Sequence, residues 1–139
     1  MANTEYFEYN NGIYPCPLCI AVGKDWQNDD FDEICFQELE GDVSARTYDT
    51  HFMEDKKCVL LRFASKKKMT AEVIAHEALH ATMFIIDYIG DCVTVEHQEH
   101  AAYILQWVVR CCEEVKLGKV NKEWKYIVSA VHLLETVMW

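Results

Sequence analysis

The sequence contains no run of about 18 apolar residues, the length that a membrane-spanning helix requires. Its first residues, Met1 to Glu5, also lack the basic and apolar regions of a secretory signal peptide. Positive charge is scarce: 13 Lys and Arg stand against 23 Asp and Glu, for a formal net charge of −10. These absences predict a cytoplasmic protein that binds neither a membrane nor the phosphate backbone of a nucleic acid.

A paired set of C-x-x-C motifs is also missing. Cys16 and Cys19 form one C-x-x-C, but no second one completes the pattern of a zinc ribbon. Cys35 and Cys58 would complete a four-thiolate site only if the fold gathered them. Because seven cysteines is an odd number and no signal peptide accompanies them, we predict reduced thiols packed as small buried residues.

Core-forming side chains, by contrast, are plentiful. Hydrophobic residues make up 51% of the 139 residues, which predicts a single domain spanning residues 1–139. Periodicity and turn signals predict strands at residues 13–22, 45–52 and 58–63, and helices at 29–39, 70–90, 96–116 and 123–138. The short charged turn between the last two strands predicts an antiparallel hairpin.

The pattern with the clearest chemistry is His76-Glu77-Ala78-Leu79-His80, an H-E-x-x-H within the predicted helix 70–90. His76 and His80 lie one turn apart on one helix face, so both imidazoles can reach a single metal ion. Zinc suits such a site, since it accepts neutral imidazole and leaves a position open for water. Glu77 points about 100° further round, where it can act on water without binding the metal. The apolar flanks predict a helix buried nearly all round.

Catalytic zinc usually has three protein ligands. The longer H-E-x-x-H-x-x-G-x-x-H motif is excluded, because Met83 and Ile86 stand where Gly and His are required. The next predicted helix begins with several polar candidates. They are Glu96, His97, Glu99, His100 and Tyr103.

The segments His76-Glu77-Ala78-Leu79-His80-Ala81 and Glu99-His100-Ala101-Ala102-Tyr103 together resemble the small gluzincin-type zincins of bacteria and their phages. These are minimal metallopeptidase domains related to the ImmA/IrrE-like group, and the resemblance covers residues 43–110. It implies an α+β, minimal zincin-like fold, with a small, mostly antiparallel sheet packed on an active-site helix and a ligand-bearing helix. It also implies Zn²⁺ held by His76, His80 and Glu99, with Glu96, His97 and His100 left open as alternative third ligands.

The activity implied by the resemblance is that of a zinc metallopeptidase acting on a peptide or protein. Glu77 is then the general base. Tyr103 or His100 is expected to stabilise the oxyanion, although Tyr103 fits a core aromatic residue equally well. The substrate is expected to lie along an edge strand, either 45–52 or 58–63. The alternative is a zinc-containing binding or regulatory module without turnover.

Overall fold

A computed structural model of the chain describes residues 4–36, 39, 43–52 and 56–119. Its elements are the strands β1 (Glu5–Tyr9), β2 (Leu18–Val22), β3 (Ala45–Phe52) and β4 (Lys56–Phe63), and the helices α1 (Ala71–Tyr88) and α2 (Glu99–Leu117). Two short 3₁₀ helices, Glu33–Phe36 and Lys66–Lys68, lie between strands and before α1. The α+β class expected from the sequence is therefore confirmed.

The strands form one mixed sheet in the order β1-β2-β4-β3. The β3–β4 hairpin is antiparallel, as expected, and β1 also pairs antiparallel with β2. The central strands β2 and β4 run parallel, with Leu18 opposite Val59 and Val22 opposite Phe63, so two of the three pairings are antiparallel. In the described part of the chain, β3 pairs with β4 alone and forms an edge of the sheet.

The two central strands are covered on both faces. Leu18 and Ile20 of β2 point into the core shared with the two helices, whereas Cys19 and Ala21 point into a smaller core on the opposite face. Strand β4 alternates in the same way, as its apolar Val59-Leu60-Leu61 run predicts. Full burial of each Leu or Ile contributes about 1.5–3 kcal/mol, so these strands anchor the sheet.

The smaller core lies under the segment between β2 and β3. Trp26 and Phe31 pack there at 5.5 Å between ring centroids. The Arg62 side chain is 1% exposed, and its guanidinium donates to the Cys35 carbonyl at 2.9 Å and lies 5.8 Å from the Trp26 ring. Arg62 of β4 thereby holds the segment between β2 and β3 against the sheet.

The same contacts explain why the helix predicted at residues 29–39 is wrong. Only the 3₁₀ helix Glu33–Phe36 forms there, and residues 37, 38 and 40–42 lie outside the described part. Just before the predicted helix, the Asn28 side chain accepts from the Asp30 amide at 2.9 Å in a local turn. In a longer helix the Cys35 carbonyl would accept from a backbone amide of the following turn, but here it accepts from Arg62.

The first predicted strand is also shorter than expected. The Asn11 side chain accepts from the amides of Ile13 and Tyr14, both at 2.7 Å, and this turn bends the backbone. The strand therefore begins only at Leu18. Before the turn, where no strand was predicted, the chain forms β1 (Glu5–Tyr9).

Helix α1 begins and ends where the sequence indicates. The Thr70 hydroxyl accepts from the Val73 amide as an N-cap. At the other end Gly90 has a φ of 76°, and the Asp91 amide donates back to the Ile86 carbonyl at 3.1 Å. The expectation of burial nearly all round is wrong, since Leu79 is 52% exposed.

Helix α2 begins at Glu99, three residues later than predicted, and packs against α1 and the sheet through its apolar face. The helix predicted at residues 123–138 lies outside the described residues. Neither α1 nor α2, the helices of the described part, has the length and apolar character needed to cross a membrane.

Candidate metal and catalytic site

His76 and His80 stand on the exposed face of α1, one turn apart. Their Nε2 atoms lie 3.2 Å from each other. Two nitrogen ligands at 2.0–2.1 Å from a tetrahedral zinc ion are separated by about 3.3 Å. The helix therefore holds the two imidazoles at the spacing that zinc requires, and their exposure leaves the position open to an ion from solvent.

Glu77 follows His76 on the adjoining, buried side of the same helix turn and is 7% exposed. It belongs to the buried stripe of α1, between Ile74 and Ala81. The Thr47 hydroxyl of β3 donates to Oε2 of this carboxylate and also lies 3.3 Å from the Glu77 backbone carbonyl. A carboxylate in such surroundings needs a donor, because an unpaired buried charge is costly. Strand β3 thus fixes the orientation of Glu77.

A cleft of about 340 Å³ is lined by both His76 and Glu77. It lies between the beginning of β3 and the first turns of α1. Its lining consists of Val43, Ser44, Ala45, Glu72, Val73, His76 and Glu77. The His76 imidazole and the Glu77 carboxylate therefore face the same space, next to the edge strand.

The structure does not bring Glu99, the expected third ligand, to these histidines. Among the described residues, no further His, Cys, Asp or Glu places a ligand atom within 4.8 Å of both imidazole nitrogens. Glu99 is exposed in the first turn of α2. The charge of Glu77 acts instead on Cys112, which lies about 20 Å further along α2 than Glu99. Burial, then the charges of Glu113 and Glu77, raise the pKa of the Cys112 thiol.

The other expected site residues also lie away from the cleft. Tyr103 is partly buried in α2, Glu96 is exposed in the loop before it, and neither lines the cleft. His97 and His100, the alternatives for the third ligand, come together with Asp91 instead. The roles given to Glu99 and Tyr103 stay predictions from the resemblance.

Asp91, His97 and His100 form a separate group that is able to hold a metal ion; we call it the Asp91 cluster. The Asp91 Oδ2 atom lies 3.3 Å from His97 Nε2 and 3.1 Å from His100 Nε2. The Cys92 amide, followed by His97, holds the pKa of Asp91 below its usual range, so the carboxylate is charged. Sequence reasoning found the two histidines and missed Asp91, whose spacing of six and nine residues was the available signal.

The seven cysteines are free thiols, all buried except Cys92. Cys19 and Cys58 are neighbours on β2 and β4, and their contact, followed by burial, raises the pKa of Cys58. No three cysteines of the described residues come within 4.8 Å of one another as a ligand group. Thr47, the partner of Glu77, could not be singled out from the sequence, since nothing local distinguishes it from other strand threonines.

Comparison with protein-family models, with curated proteins and with solved structures finds no match to this chain.

Proposed function

We propose that the protein is a zinc-dependent peptidase in which His76 and His80 bind the metal and Glu77 is the general base. The observation that carries the proposal is the 3.2 Å approach of the two Nε2 atoms beside a carboxylate held by Thr47. Without a metal, these two nitrogens share one hydrogen bond on an exposed helix face, whereas a zinc ion binds both of them. The buried Glu77 carboxylate, one residue from His76, is placed to accept a proton from water at the metal.

The proposed chemistry divides between the metal and the protein. Zinc, when bound, supplies a Lewis acid that polarises a carbonyl and makes water a better nucleophile. Thr47 occupies Oε2 of Glu77, which leaves Oε1 to accept a proton from the attacking water and to return it to the leaving amine. The Thr47 contact thus keeps the base in one orientation.

The substrate proposed for this site is an extended peptide or protein segment. Strand β3 forms a sheet edge beside the cleft, and an extended chain can add to such an edge through backbone hydrogen bonds. Leu79 and Met83 are 52% and 45% exposed on α1, the helix that bears the histidines. These two side chains favour a substrate with an apolar residue near the bond that is cleaved.

The third ligand proposed from the resemblance, Glu99, is tested separately from the histidines. If Glu99 binds the ion, Glu99→Gln lowers the zinc content and the affinity for zinc, whereas Glu96→Gln, on the exposed loop just before it, changes neither. Metal analysis after equilibrium dialysis against buffered Zn²⁺ measures both variants beside the wild type.

The test of the proposed activity uses a mixed peptide library analysed by mass spectrometry. Glu77→Gln keeps the shape of the side chain and removes its basicity, so we expect zinc content to be retained and cleavage to fall by roughly 10²-fold or more. Asp87→Asn removes the same charge from an exposed position on α1 and serves as the matched control. Cleavage that survives in Glu77→Gln would contradict the mechanism.

One observation favours the second candidate, a zinc-binding regulatory module without turnover. Within the described residues the His76–His80 pair has no third ligand within 4.8 Å. For this candidate, wild-type protein loaded with zinc leaves the whole library intact. The loss of zinc in His76→Ala then changes partner binding or stability, while neither the variant nor the wild type hydrolyses any peptide.

A further inference from the structure

We propose that the Asp91 cluster is a second metal site, distinct from the His76–His80 pair, and that it binds Zn²⁺. Three side chains converge there from the end of α1, the connecting loop and the first turn of α2. The two nitrogen–oxygen distances, 3.1 and 3.3 Å, are close to the roughly 3.3 Å that separates neighbouring ligands of a tetrahedral zinc ion.

Each of the three residues is positioned by backbone hydrogen bonds. Asp91 is held at the end of α1, where its amide donates to the Ile86 carbonyl at 3.1 Å. His97 is held in the loop by two reciprocal backbone bonds with Thr94, at 3.0 and 3.2 Å. His100 lies in the first turn of α2. The cluster is therefore prearranged by the fold, and binding an ion requires little ordering of the chain.

The surroundings of His100 distinguish a metal site from a set of hydrogen bonds. Its side chain is 11% exposed, and neither ring nitrogen has a hydrogen-bond partner among the described residues. Nε2 lies 3.1 Å from Asp91 Oδ2 but outside the direction that a hydrogen bond requires. A buried imidazole that lacks hydrogen bonds is destabilising. A metal ion between Nε2 and Oδ2 satisfies both atoms.

The ligand set indicates the class of ion. Two imidazoles and one carboxylate suit zinc and other divalent transition metals, whereas Ca²⁺ and Mg²⁺ prefer sites made of oxygen. The second oxygen of Asp91 accepts from the Cys92 amide at 2.8 Å, while Oδ2 faces both imidazoles and lies 3.3 Å from His97 Nε2. His97, 58% exposed in its side chain, keeps one side of the cluster open to solvent. Zinc here would tie the end of α1 to the beginning of α2.

The test is the number of zinc ions bound per chain, measured by metal analysis after equilibrium dialysis against buffered Zn²⁺. We expect two equivalents in the wild type and one in each of Asp91→Asn, His97→Ala and His100→Ala. We also expect one equivalent in His76→Ala and none in His76→Ala combined with His97→Ala. His51→Ala removes an exposed histidine of β3 and is expected to keep both equivalents.

Two results would overturn the second site. If the wild type binds one equivalent that is lost both in His76→Ala and in His97→Ala, the histidines of the two groups ligate a single ion. If Asp91→Asn and His97→Ala keep every equivalent that the wild type binds, the cluster binds no zinc. Both substitutions alter exposed side chains, so the test does not depend on whether His100→Ala folds. The result is also independent of peptidase activity, because no step measures turnover.

Discussion

The contact between Thr47 and Glu77 can be tested by Thr47→Val, which removes the hydroxyl and keeps the shape of the side chain. Glu77 is 7% exposed and Thr47 donates to its Oε2 atom. Hydrogen bonds to charged groups contribute about 1.5–3 kcal/mol, and an unsatisfied buried group carries a penalty of similar size. We therefore expect Thr47→Val to lower the free energy of unfolding by about 2 kcal/mol.

For a chain of this size a loss of about 2 kcal/mol lowers the Tm by about 6–10 °C, which differential scanning calorimetry measures directly. In the proposed peptidase, kcat also falls because Glu77 loses its fixed orientation. Zinc content stays unchanged, since His76 and His80 are not touched. Thr47→Ser keeps the hydroxyl and is expected to recover most of the activity, which separates the role of the hydroxyl from that of packing.

The reasoning is refuted if Thr47→Val melts and turns over like the wild type. It is also refuted if Thr47→Ser is as damaged as Thr47→Val, because the methyl group rather than the hydroxyl would then matter. A matched control is Thr94→Val, which alters an exposed threonine in the loop before α2. That control is expected to leave the Tm within about 1 °C of the wild type.

Three further predictions follow from the buried and exposed groups. Arg62→Met leaves the Cys35 carbonyl without its donor, and we expect a loss of about 1–3 kcal/mol in urea unfolding; an unchanged midpoint would contradict the role given to Arg62. Burial raises the pKa of Cys16 from 9.0 to about 11. The stability contributed by this neutral thiol is therefore complete below pH 9 and falls by about 1.4 kcal/mol per pH unit up to pH 11. Other buried thiols, Cys58 and Cys112 among them, also have raised pKa values and add to the decline, so Cys16→Ala is expected to make it shallower by that amount and Cys92→Ser to leave it unchanged. In native protein at pH 7.5, a maleimide is expected to label Cys92 first, because it is exposed while the other cysteines are buried, and mass spectrometry of Cys92→Ser should show slow labelling only.

The sequence by itself determined the features that depend on neighbours along the chain. The Thr70 cap and Gly90 bound α1, because capping is a matter of a few adjacent residues. The 45–52 and 58–63 patterns identified the β3–β4 hairpin for the same reason. The spacing of His76 and His80 was enough to expect their nitrogens to meet, since helix geometry alone sets it.

Tertiary structure decided what depends on residues far apart in sequence. The parallel pairing of β2 with β4 depends on the connection between β2 and β3, which passes the position of β4, and no local sequence pattern predicts it. Arg62 donates to the Cys35 carbonyl, and the described residues of the predicted helix 29–39 form only the short 3₁₀ helix Glu33–Phe36. The donor to Glu77 is Thr47, thirty residues away.

The candidate metal ligands depend partly on the sequence alone and partly on the tertiary structure. The resemblance implied Glu99 as a ligand beside His76 and His80, and in the structure Glu99 is exposed in the first turn of α2. Asp91 meets His97 and His100 because the end of α1 and the loop that follows turn the chain back on itself. A sequence lists the groups that can ligate a metal, and only the folded chain decides which of them share a centre.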